Sequence, residues 1–465
     1  PKQIALGAIR NNELVYDMGT EIARQMHRMG VNVSFSPVLD VNNNPNNPVI
    51  NTRSFGEDRY NVMAKGYQYM KGLQDNGILA SAKHFPGHGD TGTDSHYDLP
   101  VISHDRARLD SLELYPFKAL INYGIGSIMA AHLQVPALDD RKNRPTSMSI
   151  PVITDLLRHE LGFTGLVFTD GLEMKGVTNH YGNGEVEAEA ILADSDILLL
   201  PESTPAAITA IKRYIAEGKI TQADIEKKVR RILLSKYRLG LNRRTYPDAA
   251  NLRGQLNSPE AYALKQRLFE NAMTLVRDSE KLVPMQPKAR GKVVTVHVGL
   301  QSPTPFSRRV DDYVKTTHYN TSYRGSKAGR QRIEKAIGEG DQVIVALYSD
   351  GSRFLEKVPI GPEVLGLLRA LDAKAELIIS VFGNPYSLAA LDGFGTVLMA
   401  YSRDDVAQDA AALGLFGANK INGRLPATAS PSAPFNAGLA TTPFLRMGYA
   451  SPEAVGIDGN LLAAK

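Results

Sequence analysis

Residues 83–96 read Lys-His-Phe-Pro-Gly-His-Gly-Asp-Thr-Gly-Thr-Asp-Ser-His, placing three histidines, two aspartates and a lysine within fourteen positions. Asp94 and His96 stand two apart, on one side of an extended segment. A carboxylate so placed can orient an imidazole and raise its basicity, which makes His96 a candidate general acid/base near neutral pH. Chance also supplies an isolated Asp-x-His, so spacing alone leaves both readings open. A metal reading exists as well, since His84, His88, Asp90 and His96 are possible ligands, although no His-Glu-x-x-His cluster occurs. A second candidate is Phe168-Thr169-Asp170-Gly171, an apolar strand that ends in an acid beside a glycine. A carboxylate held there by rigid backbone suits a nucleophile or a general base. The alternative is that Asp170 caps a following helix.

These residues need a scaffold that brings strand ends together. The apolar run at 77–82 reads as a buried strand feeding directly into the polar motif, and in parallel α/β folds the carboxyl ends of strands are where ligands bind. Gly87, Gly89 and Gly92 predict a loop after Pro86 that can move over a ligand. Around this point helix and strand patterns alternate. Helices are expected at 12–29, up to about 75, and at 105–123, 150–161 and 185–193; strands at 31–41, 127–132, 165–170 and 196–200. That alternation is the signature of repeated βα units and a parallel sheet. Thr221-Gln222-Ala223-Asp224 makes a capping box for a helix stopped by Gly240. Residues 241–257 mix Asn, Arg, Pro and Gly without periodicity and read as a linker. Ser258-Pro259-Glu260 then caps a helix to about Val276. A second alternating pattern follows, with strands at 293–298, 342–349, 377–382 and 396–401, ending near Gly423-Arg424-Leu425-Pro426.

Composition narrows the partners. Lys plus Arg exceed Asp plus Glu by only 53 − 49 = +4 across 465 residues, and no basic run is interleaved with aromatics, so nucleic acid binding has no support. Cysteine is absent, which removes disulfides, thiolate nucleophiles and Cys-metal sites. The strongest apolar run surrounds residues 197–200, far short of the ~20 residues of a membrane span, so no transmembrane segment is expected. Trp is also absent, so a sugar-stacking surface must use Tyr, Phe, His or Met.

The run from Lys83 to His96, with Arg53-Ser54-Phe55-Gly56-Glu57-Asp58 upstream and Asp170 downstream, resembles glycoside hydrolase family 3, and more narrowly its β-N-acetylhexosaminidase branch. The resemblance is strong to about residue 239 and weaker beyond. It implies a (β/α)8 TIM-type barrel over 1–240, a linker at 241–257 and a second α/β sandwich domain over 258–448. It also implies retaining hydrolysis that removes terminal β-N-acetylglucosamine from peptidoglycan- or chitin-derived oligosaccharides, with no metal and no cofactor. Asp170 matches the family's nucleophile and His96, paired with Asp94, its acid/base. Arg53, Lys83 and His84 match residues that hold sugar hydroxyls, while His88 and Asp90 shape the loop.

Three features depart from the family pattern. Gly171 stands where an acid usually follows the nucleophile. Residues 1–7 resemble the sequence just after the family's third barrel strand, which implies an N-terminally incomplete barrel of about five strands, poorly stable alone, without an Asp that binds sugar. Residues 451–458, Ser-Pro-Glu-Ala-Val-Gly-Ile-Asp, resemble the lead-in to a covalently linked β-lactamase-like domain over 449–465 and beyond. Competing readings are a β-glucosidase-type family 3 hydrolase, a glycoside phosphorylase and an inactive sugar-binding scaffold.

Overall fold

The computed structural model describes the chain except residues 95–97, 183, 244–246, 248, 353–354, 445–451, 453–455, 460 and 462–465. The expected lead-in to a further domain therefore lies largely outside the described residues. Two compact units emerge, one spanning Val15–Leu256 and the other joining Pro1–Leu14 to Asn257–Lys465. The first fourteen residues thus group with the second unit and not with residues 15–240. There the short helix Gln3–Gly7 buries Ile4 and Leu6, and the Arg424 N–H donates to the Ala8 carbonyl at 3.0 Å.

Val15–Leu256 is built on five parallel strands: β1 (Val33–Ser34), β2 (Leu79–Phe85), β3 (Ser127–Ala130), β4 (Leu166–Gly171) and β5 (Ile197–Leu199). They pair in sequence order, so each strand lies beside the next along the chain. Helices separate them, as alternating βα patterning demands. The sheet is a curled parallel half-barrel.

Three expectations are corrected by local chemistry. The strand at 31–41 contracts to two residues because Pro37 removes a ladder donor. Beyond that proline the chain stays beside β2 through the Leu39 N–H on the Lys83 carbonyl at 2.6 Å. The helix at 105–123 divides into Arg106–Ser111 and Tyr115–Asn122, the second restarting with Pro116 in its first turn. The helix at 150–161 is Pro151–Glu160, wound as a wider π-type helix.

At the amino end of β5 a buried ionic cluster ties two helices to the sheet. The Asp196 carboxylate accepts from Val167 N (2.8 Å) on β4, from Arg158 Nη2 (2.6 Å) and from Arg231 Nη1 (3.0 Å). Asp194 accepts from Lys228 Nζ (2.5 Å) and from Arg231. Burial pushes the Asp194 carboxyl up, but bonds from Arg231 and Lys228 outweigh this and hold it well below the usual carboxylate range. Arg158 lies in the helix Pro151–Glu160, and Lys228 and Arg231 in the helix Gln222–Arg238, whose Thr221–Asp224 capping box forms as predicted.

The second unit carries six strands: β6 (Thr274–Asp278), β7 (Val293–Val298), β8 (Thr316–Thr321), β9 (Gln342–Tyr348), β10 (Glu376–Phe382) and β11 (Thr396–Met399). Their order is β6-β11-β10-β9-β7-β8, with β6 antiparallel to β11 and the remainder parallel. Two strands are additions to the sequence expectation, and both are edges. β6 arises where the capped helix was expected to continue to Val276; that helix ends at Ala272. β8 is the polar run Thr-Thr-His-Tyr-Asn-Thr, which lacks an apolar face to announce it. Phe269, Phe306, Tyr348 and Phe382 fill the core beneath the sheet.

Among the described residues no helix is long and apolar enough to cross a membrane. Replacing Asp196 by Ala takes a fully buried carboxylate partner from buried Arg158 and half-buried Arg231, which keep Asp194, and should cost ~2–4 kcal/mol. Urea unfolding checks this: the transition midpoint should fall sharply, whereas Asp155→Ala, exposed in the same π-type helix as Arg158, should leave it nearly unchanged.

Candidate active site

The site grows from a buried carboxylate that sequence reasoning did not single out. Asp40 is fully buried where the chain leaves its pairing with β2. Its Oδ1 accepts the backbone N–H groups of His84 (3.1 Å) and His88 (2.7 Å), and its Oδ2 accepts Nδ1–H of His84 (2.7 Å). That bond assigns the His84 tautomer. Nε2 is left as an acceptor for Arg53 Nη2 at 3.4 Å, while Arg53 Nη1 donates to the Val49 carbonyl at 3.2 Å. Burial pushes the Asp40 carboxyl up, but the His84 ring and the N–H donors outweigh it and hold the carboxyl below its usual range. Burial holds the His84 ring in its neutral form.

The first part of the central motif is strand, since β2 runs through Lys83, His84 and Phe85. The root of the following loop is pinned. Asn47 Nδ2 donates to the His88 carbonyl (2.9 Å), and Thr91 Oγ1 shares a hydrogen bond with His88 Nδ1 (2.8 Å), whose ring is kept neutral by burial with a pKa of about 4. Gly89 serves close approach and not mobility, because a Cβ there would sit 1.9 Å from the Val41 carbonyl oxygen. Gly87 adopts φ +132°. Farther along, Asp90 Oδ2 accepts from His104 Nε2 at 2.6 Å. Gly92 has open space where a Cβ would stand, unlike Gly89. Asp94 follows, its carbonyl accepting the Asp98 N–H at 3.2 Å. His96, the other half of the Asp-x-His pair, lies outside the described residues.

Asp170 sits at the carboxyl end of β4, with Oδ1 accepting the Gly171 N–H at 2.9 Å. It caps no helix: the next helix, Lys175–Thr178, starts at Met174 without a side-chain cap. Burial pushes this carboxyl up, yet the His84 and His132 rings, the Gly171 N–H and the Lys83 ammonium together hold it below the usual carboxylate range. Lys83 is itself lowered to about 8, first by burial and then by the Arg53 charge, with Asp170 and Asp40 opposing. Lys83 therefore stays mostly protonated at neutral pH and sets an ammonium beside Asp170.

The structure thus brings Arg53, Lys83, His84 and Asp170 to one end of the sheet. An ionised carboxylate on a strand end, beside an ammonium and a guanidinium, can attack an electrophilic carbon while the cations hold hydroxyl oxygens. Two residues were missed, Asp40 and His132. Both follow apolar runs, Val38-Leu39 and Met129-Ala130-Ala131, in the pattern that marked Asp170, so the same rule could have found them.

Asp40→Asn removes a buried charge that three N–H donors surround and should destabilise the unit by ~2–4 kcal/mol at pH 7. Because the folded-state pKa is depressed, this stabilisation is complete above the unfolded value of ~4 and is lost as pH falls through the folded value. Urea titrations at pH 7 and pH 3 check it: the gap between parent and variant should narrow at the lower pH.

Comparisons with known proteins place the chain in a family. The model of the glycosyl hydrolase family 3 N terminal domain matches residues 1–234. Beta-hexosaminidase A of Pseudoalteromonas piscicida is 35% identical over 292 residues, covering 59% of this chain and 48% of that protein. A Cellulomonas fimi protein named beta-N-acetylglucosaminidase/beta-glucosidase is 27% identical over 451 residues, covering 92% of this chain and 79% of its own length. The chain therefore spans about half of the first relative and most of the second. The structure of a glycoside hydrolase family 3 beta-N-acetylglucosaminidase from Paenibacillus sp. str. FPU-7 superposes with a TM-score of 0.77 at 33% identity, covering 92% of this chain and 82% of that one. With its half-barrel sheet, its strand-end carboxylate and a family match over half its length, the chain belongs to glycoside hydrolase family 3.

Proposed function

We propose that the chain acts as a retaining β-N-acetylglucosaminidase on oligosaccharides derived from peptidoglycan or chitin. The single observation that carries this reading is the Asp170 carboxylate, half-buried yet held ionised, on the strand end next to Lys83 and His84. Asp170 attacks the anomeric carbon as the leaving oxygen departs, forming a covalent glycosyl-enzyme that water then opens. His96, as the imidazolium that Asp94 stabilises, gives a proton to the leaving oxygen, and the neutral ring then takes one from the attacking water. Arg53, Lys83 and His84 hold the sugar hydroxyls. In the His84 tautomer set by Asp40, Nε2 is a lone-pair acceptor that a sugar hydroxyl can share with Arg53.

The names of the relatives support this substrate class, and the family match supports the chemistry. In the same reading the five parallel strands are part of a (β/α)8 TIM-type barrel, and the six-stranded unit is the family's second α/β domain.

The test is turnover of an aryl β-N-acetylglucosaminide by the chain and by Asp170→Asn, with the products analysed in phosphate and in phosphate-free buffer. The expected outcome is free N-acetylglucosamine of retained configuration in both buffers, and a loss of at least ~1,000-fold in kcat for Asp170→Asn. Sugar 1-phosphate formed only in phosphate would mean phosphorolysis, and full activity of Asp170→Asn would remove Asp170 from the role. Lys83 supplies a further expectation. Binding of N-acetylglucosamine, followed by calorimetry, should weaken as pH rises through about 8, where Lys83 loses its proton. Lys83→Met should bind ~10-fold less tightly at pH 7 and lack that limb.

A further inference from the structure

The nucleophile candidate lies where the sheet no longer holds it. The β3–β4 ladder ends at the pair Ala130 and Thr169, one residue short of Asp170. On the other side the β4–β5 register shifts after Phe168 and resumes only at the pair of Gly171 with Leu199, so the regular ladder skips Asp170 there too. Packing does not take over. A Cβ added to Gly171 would meet only ordinary contacts with Met174 and Leu200, at 3.7 Å or more. Gly171 has no side chain of its own to fix the turn out of the strand, and its N–H is the group that holds Asp170 Oδ1.

Hydrogen bonds supply the missing constraint. His132, just past the end of β3 and 1% exposed, points Nε2 at the Gly171 carbonyl oxygen, 3.0 Å away. A carbonyl only accepts, so Nε2 carries the proton. Nδ1 is then a lone pair, and the fully buried Ser147 hydroxyl donates to it at 2.7 Å. Ser147 is fixed in turn by its own N–H on the Ala131 carbonyl (3.1 Å), and its neighbour Thr146 Oγ1 donates to the same carbonyl (2.7 Å). The Met174 N–H also donates to the Gly171 carbonyl at 3.1 Å, which gives that oxygen two directed partners. Burial keeps the ring neutral against the pull of Asp170, which a one-donor, one-acceptor role requires.

We propose that His132, held in one tautomer by Ser147, is the positioning residue that fixes the Gly171 carbonyl and, through it, the orientation of the Asp170 carboxylate. The proposal rests on the reading of Asp170 as the nucleophile. His132 touches no substrate in this account. It acts on the attack geometry, so its loss lowers kcat and leaves substrate binding in place. A histidine that merely filled the core would be replaceable by any side chain of similar volume.

Four variants of the chain test it on an aryl β-N-acetylglucosaminide, with circular dichroism and thermal melting as the check on folding. His132→Leu keeps volume and removes both nitrogens. His132→Gln puts an amide N–H near the Nε2 position. Ser147→Ala frees the tautomer, and Asp170→Asn tests the underlying reading. For folded His132→Leu the expected result is a ~100-fold fall in kcat with KM within ~3-fold of the parent, since a displacement of about 1 Å can cost that much. His132→Gln should recover to within ~10-fold of the parent, and Ser147→Ala should lose ~10-fold in kcat at unchanged KM. A folded His132→Leu with near-parental kcat, or a Gln variant no better than Leu, overturns the proposal. If His132→Leu does not fold, Ser147→Ala decides, and parental kcat there overturns it. Inactive Asp170→Asn beside active His132→Leu condemns the positioning role alone, whereas active Asp170→Asn condemns the nucleophile reading itself.

Discussion

A carboxylate sealed away from water must be met by enough donors to replace its hydration, and Asp40 is met by three. Ionising such a group without partners costs several kcal/mol, so the surrounding N–H groups are a condition of the fold as well as decoration of the site. The same bonds draw together the segment after β1, the end of β2 and the root of the loop at His88. They also decide which nitrogen of His84 bears the proton, and therefore what Arg53 meets there. An Asn at position 40 could donate where His84 and His88 need only acceptors, which is why the charge matters and not only the shape.

The charge balance around Asp170 follows from that arrangement. With His84 and His132 neutral, Lys83 and Arg53 are the cations on this side of the sheet end. Burial lowers Lys83 only to about 8, so an ammonium remains beside the carboxylate at neutral pH. Burial would favour the protonated acid, yet the neighbours win and Asp170 is ionised. In the proposed reaction, a carboxylate already charged and half shielded from water has less solvent to shed when a glycoside arrives. The opposite end of the sheet works by different means. The cluster of Asp194 and Asp196 with Arg158, Lys228 and Arg231 joins helices to strands, in keeping with a stabilising role at the amino ends of parallel strands.

Much of this was legible in the sequence, for physical reasons that differ by element. Lys83 and His84 were readable because a buried strand runs straight into a polar motif, and Asp170 because an apolar run ends in an acid. The Thr221–Asp224 capping box was readable because it is a local interaction between residues three apart. Asp40 was hidden behind Pro37 and a run of asparagines that reads as turn chemistry, although it too ends an apolar stretch. The partners of His132, Ser147 and the Gly171 carbonyl, come from distant parts of the chain that no short-range pattern connects. Gly89 was read as a source of mobility when its role is close contact with Val41. Edge strands β6 and β8 escaped because an edge needs no two-sided apolar pattern.

The most direct test is to trap the covalent intermediate and locate it. The chain is incubated with a slow fluorinated β-N-acetylglucosaminyl donor whose departure is faster than hydrolysis of the adduct, then digested and sequenced by mass spectrometry. The account predicts one N-acetylhexosaminyl ester on the peptide containing Asp170, absent from Asp170→Asn. An adduct on another carboxylate, or turnover with inverted product and no adduct, would contradict it.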